Sequence, residues 1–536
     1  MNTKFSRFLE AIIEAGWLAA LIIVPLFFNV HSSRVFEPDK LSLLRSIALV
    51  MALAWLVKLA NEGLGLRAEG AGEGIEQRPT LWQRIRTTPL VLPTLFLVVV
   101  YLISTVFSLT PRISWWGSYQ RMQGTYTTLS YILIFFMVLG HLRRPEQWRR
   151  IAFAIILTSL PIALYGILQR SGADPLPWGG DVRRRVAANM GNAIFVAAYL
   201  LMAFFLTLER LLVHFGRLLR AQDNKVGVAD AVLAGCYFAI VVIQTITIFM
   251  TQSRGPFLGW GAGLFVFLLM VLLGVRAWAT GHTQSFGAFR GVLRWSWLGW
   301  IFLAVSGLAF LVVFNLPNSP LASLRSDPNI GRLGTALDFE ANTARVRTLI
   351  WQGASELVAP HDPLLSPATG GEGDVTAMSP DRLNSLRPLI GYGPEAMWVA
   401  FNRYYPPDLA HHESRNASPD RSHNETWDSL VISGAFGFIA YMLLFLSIFY
   451  FALKWLGLIR IRSQQLLFFG LALGLGALGA MIPRVLEGSW ILLGVGLPAG
   501  LILGIILYVV IATIWNEVSG YSISLGQREL VLITIL

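Results

Sequence analysis

Two stretches of this chain, Gly255 to Gly274 and Trp490 to Ile514, run long enough to cross a lipid bilayer without one charged residue. About 20 apolar residues in a helix span the hydrocarbon core, and a helix satisfies its own backbone polar groups there. Similar blocks lie near 11–30, 41–60, 89–109, 124–140, 151–169, 189–213, 230–251, 295–315, 428–453 and 465–482, so the pattern predicts twelve spans. The expected fold class is an all-α polytopic membrane protein. Composition points the same way: 55% of 536 residues are hydrophobic and 14% charged, where a soluble domain carries about 25% charged residues. The first block, Ala11 to Val30, holds Glu14 and no small-residue cleavage pattern, which predicts an uncleaved helix rather than a signal peptide. A single cysteine, Cys236, excludes a disulfide framework and a cysteine-based metal site.

Lysine and arginine sort the loops. One alternate set holds nineteen of them and the short loops opposite hold ten, so both ends of the twelve-helix set are expected to be cytoplasmic. The net charge of +11 follows from that asymmetry and argues for no nucleic-acid partner. The resulting divisions are a membrane domain over 1–315, an outer loop over 316–427, a second membrane portion over 428–515 and a tail over 516–536. Within the loop, Val346, Leu349, Ile350 and Leu357 give Asn342 to Leu357 helical spacing, whereas Asp362 to Pro380 is rich in Pro, Gly, Ser and Asp and is expected to be mobile. Asn61 to Arg78, Gly-rich and mixed in charge, is expected to be a cytoplasmic linker. The last residues, Glu529 to Leu536, begin another apolar run and stop short of a span, which predicts a piece of a longer protein.

Arginine on the outer side runs against the sorting rule and is therefore informative. Arg183, Arg184 and Arg185 precede the sixth expected span; Arg421 stands just before the tenth; Arg254 lies in the turn Thr251-Gln252-Ser253-Arg254-Gly255 between two long apolar blocks. Binding of lipid phosphate accounts for Arg183 and Arg184. Arg254 has almost no loop in which to escape, so its guanidinium must face protein or a polar cavity, and an anion such as phosphate is the natural partner. Close by, Asp420-Arg421-Ser422-His423-Asn424-Glu425 leads straight into the tenth block. A histidine there titrates near neutrality and can reach a substrate at the membrane surface, although a hydrogen-bonded structural histidine is the commoner case. His411, His412 and Glu413 have no fixed spacing to a further ligand and read as a solvated loop.

His423-Asn424, nine residues, Gly434, two residues and Gly437 resembles the signature of bacterial O-antigen ligases. Gly391-Tyr392-Gly393-Pro394-Glu395, Phe401 to Pro407, and Arg347 with Trp351 look like the outer loop of that superfamily. Arg185 with Gly191-Asn192 and Tyr199-Leu200 resembles the start of its sixth span, and Thr251 to Gly255 its Ser-Arg-Gly turn. The likeness runs in order over roughly residues 180 to 440; about twenty residues, Asp362 to Leu386, look inserted, and Gly191-Asn192 lacks the usual following Pro-Asn. The resemblance implies an inverting, metal-independent glycosyltransferase without cofactor. It would move a glycan from a polyprenyl (undecaprenyl) diphosphate to an acceptor hydroxyl on a glycan, lipid or protein at the outer face of the bacterial cytoplasmic membrane. On that reading His423 is the base, Arg185 and Arg254 stabilise the leaving diphosphate, and Arg421, Asn424, Arg347 and Tyr392 contact substrate. The superfamily also holds O-antigen polymerases and protein O-oligosaccharyltransferases, which the motif does not separate. A transporter is the rival from another class; it calls for mid-bilayer polar groups and broken-helix repeats, and Glu14 and Arg45 are the main charges near span interiors. A membrane scaffold whose outer loop binds a partner leaves the order of Arg185, Arg254 and His423 unexplained.

Overall fold

The computed structural model describes residues 4–62, 80–176, 178, 180–219, 224–281, 290–316, 318–326, 331–335, 342–367, 378–413, 417–518 and 526–536. The first helices are α1 (Lys4–Leu26), α2 (Glu37–Glu62), α3 (Leu81–Thr87), α4 (Val91–Val106), α5 (Pro111–Trp116), α6 (Thr125–His141) and α7 (Pro145–Ser171). Then come α8 (Ala193–Leu218), α9 (Asn224–Met250), α10 (Arg254–Gly281), α11 (Arg290–Asn315) and α12 (Asn342–Val358). Short helices α13 (Arg387–Ile390), α14 (Met397–Ala400) and α15 (Leu409–His412) precede α16 (Glu425–Trp455), α17 (Arg462–Glu487), α18 (Leu493–Val518) and α19 (Gln527–Ile535). Among the described residues ten helices are long and apolar enough to cross a membrane: α1, α2, α7 to α11 and α16 to α18. The chain is a multi-pass, helical membrane protein.

The third and fourth expected spans emerge as the shorter α4 and α6, of 16 and 17 residues. α4 stops early because the next residues have other partners: Ser108 and Leu109 turn away to hydrogen-bond the carbonyl of Tyr392. Large apolar side chains stand out from the bundle, Phe302 on α11 and Val485 on α17 being 74% and 75% exposed, as lipid-facing residues must. Inside, α17 and α18 approach until glycines meet. A Cβ on Gly479 would lie 2.1 Å from the Gly496 carbonyl oxygen, so the seam depends on small residues, which let backbones come close where no hydrophobic effect drives association. The terminal α19 buries Leu532 and Ile533 in the core shared by α8, α10, α16, α17 and α18.

The segment between α11 and α16 has its own core. Val346, Leu349, Ile350 and Leu357 of α12, the residues given by the helical spacing, pack on Tyr392, Phe401, Leu409 and Trp427. An antiparallel pair, β1 (Leu365–Pro367) with β2 (Met378–Pro380), departs from the all-helical expectation. The base of the segment expected to be mobile is pinned: Asp381 donates its amide to the Leu364 carbonyl, and its carboxylate takes two hydrogen bonds from the buried Arg387 at 2.7 and 3.0 Å. That guanidinium also holds the Asp381 carboxyl below its usual range, outweighing the opposite effect of burial. Residues 368–377, most of the Asn61 to Arg78 segment and 519–525 of the tail lie outside the described residues.

Candidate functional site

α16 is interrupted where it matters. At Gly434 the backbone takes φ +63 and ψ −164, which leaves the carbonyls of Val431 and Ile432 without helical donors. Loop 391–393 fills the gap: Tyr392 donates its amide to Val431 at 2.8 Å and Gly393 to Ile432 at 2.9 Å, while Ser104 of α4 adds its hydroxyl to Ile432 at 2.6 Å. A Cβ on Gly434 would come within 2.3 Å of the Leu389 carbonyl carbon, and one on Gly391 within 2.4 Å of that of Ile432. Both glycines are therefore conditions for the loop to lie on the helix.

The start of α16 presents His423. Asn424 caps the helix, its side-chain oxygen accepting from the amides of Thr426 and Trp427 and its side-chain nitrogen donating to the Gly494 carbonyl at 2.7 Å. One residue earlier, His423 stands at φ +55, a strained conformation for a side chain of this size. Its neighbours hold it there. Ser422 donates both its amide, at 2.7 Å, and its hydroxyl, at 2.8 Å, to the Asp428 carboxylate one turn into α16; its hydroxyl oxygen accepts the Asn424 amide at 3.2 Å and its carbonyl accepts from the Trp351 indole at 2.9 Å. The imidazole hydrogen-bonds no described group. Surrounding protein desolvates it enough to lower its pKa below the ordinary value; Arg347 and Arg121 push the same way, and Asp420 and Asp428 oppose them. Arg347, on α12, and Arg421 are half-buried and likewise hydrogen-bond no described group, and burial lowers the pKa of Arg347, which stays charged.

Arg121 ties this loop to the rest of the bundle. Its Nε donates to Asp420 at 2.6 Å and a terminal nitrogen to Glu37 at the start of α2 at 2.7 Å. Burial pulls the pKa of this guanidinium down, but the two carboxylates together raise it above the usual value. On the same helix Lys40 reaches the carbonyl of Asn189 at 3.0 Å, and Asn189 in turn donates to Pro25 and Leu26 at the end of α1. Three residues before Asn189 the chain runs along the end of α9. Arg185 donates to the Thr251 carbonyl at 3.0 Å and the Ser253 hydroxyl at 3.2 Å, and the next residue, Arg254, opens α10 half-buried.

The sequence-derived residues divide accordingly. Arg185 and the Arg254 turn meet; His423, Arg347 and Arg421 share one electrostatic neighbourhood; both groups occupy the end of the bundle that carries the loop. Arg183 and Arg184 are exposed. Asn424 is spent on its cap, and Tyr392 is buried, its hydroxyl donating to the Leu357 carbonyl at 3.1 Å and meeting His361 at 2.7 Å, so these two position the loop. Burial raises the pKa of that phenol, which keeps it a donor. Sequence reasoning passed over Arg121, Glu37 and Asp428, and it named Glu395 within a motif but gave it no role; the Glu395 carboxylate accepts the amides of Ser118 and Gln123 and fixes the α5–α6 connection. Two of these carried a signal: Arg121 is another arginine on the arginine-poor side, and Asp428 is an acid at the very start of an apolar block.

No family model matches the chain, and no curated protein matches it.

Proposed function

We propose that this protein is a glycosyltransferase of the O-antigen ligase kind, transferring a glycan from a polyprenyl diphosphate to an acceptor hydroxyl at the outer face of the cytoplasmic membrane. One observation carries the reading: His423, Arg347 and Arg421 project charge-bearing or basic groups that bond no described residue, while Ser422 beside the histidine is held by Asp428 and Trp351. Such groups are kept for a ligand. In the reaction the acceptor oxygen attacks the anomeric carbon and its proton passes to the His423 imidazole. The bond from that carbon to the diphosphate oxygen breaks, its electron pair staying on the diphosphate. Arginines suit that developing charge, since their planar fork matches phosphate oxygens, and Arg185 and Arg254 lie together at the same end of the bundle. The low imidazole pKa keeps His423 in its base form at neutral pH. Ligase, polymerase and protein glycosyltransferase differ in the acceptor. The test is transfer from a synthetic polyprenyl diphosphate glycan in proteoliposomes, offering lipid, glycan and peptide acceptors in turn. Transfer to one of them supports the reading and names the branch, whereas passage of the intact donor across the bilayer with no transfer would make the chain a transporter.

A further inference from the structure

At the opposite end of the bundle, where α1 begins and α6 passes into α7, a cavity of about 280 Å³ is lined by Arg7, Glu10, Glu14, His141, Arg143 and Arg144, with Ala11 and Gln147. Its two acids are already neutralised. Glu10 takes a hydrogen bond from Lys58 at 2.6 Å, and Glu14 takes one from Arg150 and another from the buried Gln147 at 3.0 Å. Among the described residues Arg7, Arg143 and Arg144 have no carboxylate partner. The cavity is thus a polar floor of closed ion pairs under three open guanidiniums. It lies at the ends of α1 and α7, both long and apolar enough to cross a membrane, and so at the level of lipid headgroups.

We propose that this cavity binds the phosphate headgroup of an anionic phospholipid. Three uncompensated arginines select net negative charge over a zwitterion, because an ammonium would find both nearby carboxylates taken and its charge repelled. Phosphate also suits guanidinium better than a carboxylate would, having oxygens for more than one fork.

The test is native mass spectrometry of the full chain released from detergent, titrated with phosphatidylglycerol or phosphatidylcholine. Phosphatidylglycerol should bind with clear preference, and Arg7→Gln/Arg143→Gln/Arg144→Gln should weaken it by about a hundredfold, three arginines at an anionic surface being lost. Glycerol phosphate as competitor separates the sources: failure to displace the lipid assigns the site to a membrane headgroup, and displacement assigns it to a soluble phosphomonoester. Those arginines also orient the chain in the membrane, so a second measurement leaves them intact. Photocrosslinkable phosphatidylglycerol added to the wild-type protein should label peptides within 4–14 and 141–150. Equal binding of both lipids, or labelling only elsewhere, overturns the proposal.

Discussion

His423 combines a strained backbone with an unspent ring. The φ of +55 costs energy that the Ser422–Asp428 hydrogen bonds and the Trp351 indole must hold in place, which is how a side chain is aimed rather than left to find its own rotamer. His423→Ala should reduce transfer by roughly 10²- to 10⁴-fold, the usual worth of a general base, while donor binding measured by fluorescence titration stays within twofold or so. A mutant that loses donor binding as well would identify a packing residue. Only neutral imidazole accepts a proton, so activity should fall as pH drops through the His423 pKa, which lies below the ordinary value. Asp420 raises that pKa and Arg347 lowers it. Asp420→Asn should therefore move the acid limb to lower pH and Arg347→Gln to higher pH, read from initial rates across the titration. Two shifts of the same sign would contradict the assignment of the limb to His423.

At the scale of elements, Gly434 of the His423–Gly437 motif is scaffold: it allows a loop to complete a broken helix. Gly434→Ala should lower the melting temperature in detergent and the yield, since the added carbon meets backbone at 2.3 Å and the positive φ disfavours it, at a cost of about 1 to 3 kcal/mol. Asn424→Ala should cost about 1 kcal/mol by loss of its cap and change the substrate KM little, as measured by thermal unfolding alongside kinetics. The sequence displayed these residues, and it displayed α12 with its apolar side, because both are local patterns. It could not display what they are for. The resemblance marks Tyr392 as a substrate contact, and nothing in the Gly-Tyr-Gly stretch foretells that its amide pairs with the Val431 carbonyl, some forty residues on. The early end of α4 is hidden for the same reason: hydropathy continues past Val106, and only the distant Tyr392 carbonyl explains why Ser108 leaves the helix.

Over the whole molecule, long apolar blocks declared themselves while charges inside them did not. Arg45, a charge near a span interior, is buried and donates to the carbonyls of Trp116 and Met122 and to the Thr127 hydroxyl, sealing the connection from α5 to α6. Glu14 pairs with Arg150 across α1 and α7. No local pattern names such partners. The same holds for Arg121, which joins α2 to the loop of His423, and its position makes a prediction about coupling. Its two carboxylates are addressed by different nitrogens in different directions, Nε to Asp420 and a terminal nitrogen to Glu37. A lysine has one ammonium and cannot hold both. Arg121→Gln should leave the bundle intact but free Asp420 to act on the imidazole unopposed, raising the His423 pKa and moving the acid limb of activity to higher pH. Arg121→Lys restores the positive charge without the fork, so it should return the pH limb toward wild type and leave the rate depressed. If instead lysine restores the rate as well, charge alone is what Arg121 supplies, and the rigid link between α2 and the loop plays no part in setting the base.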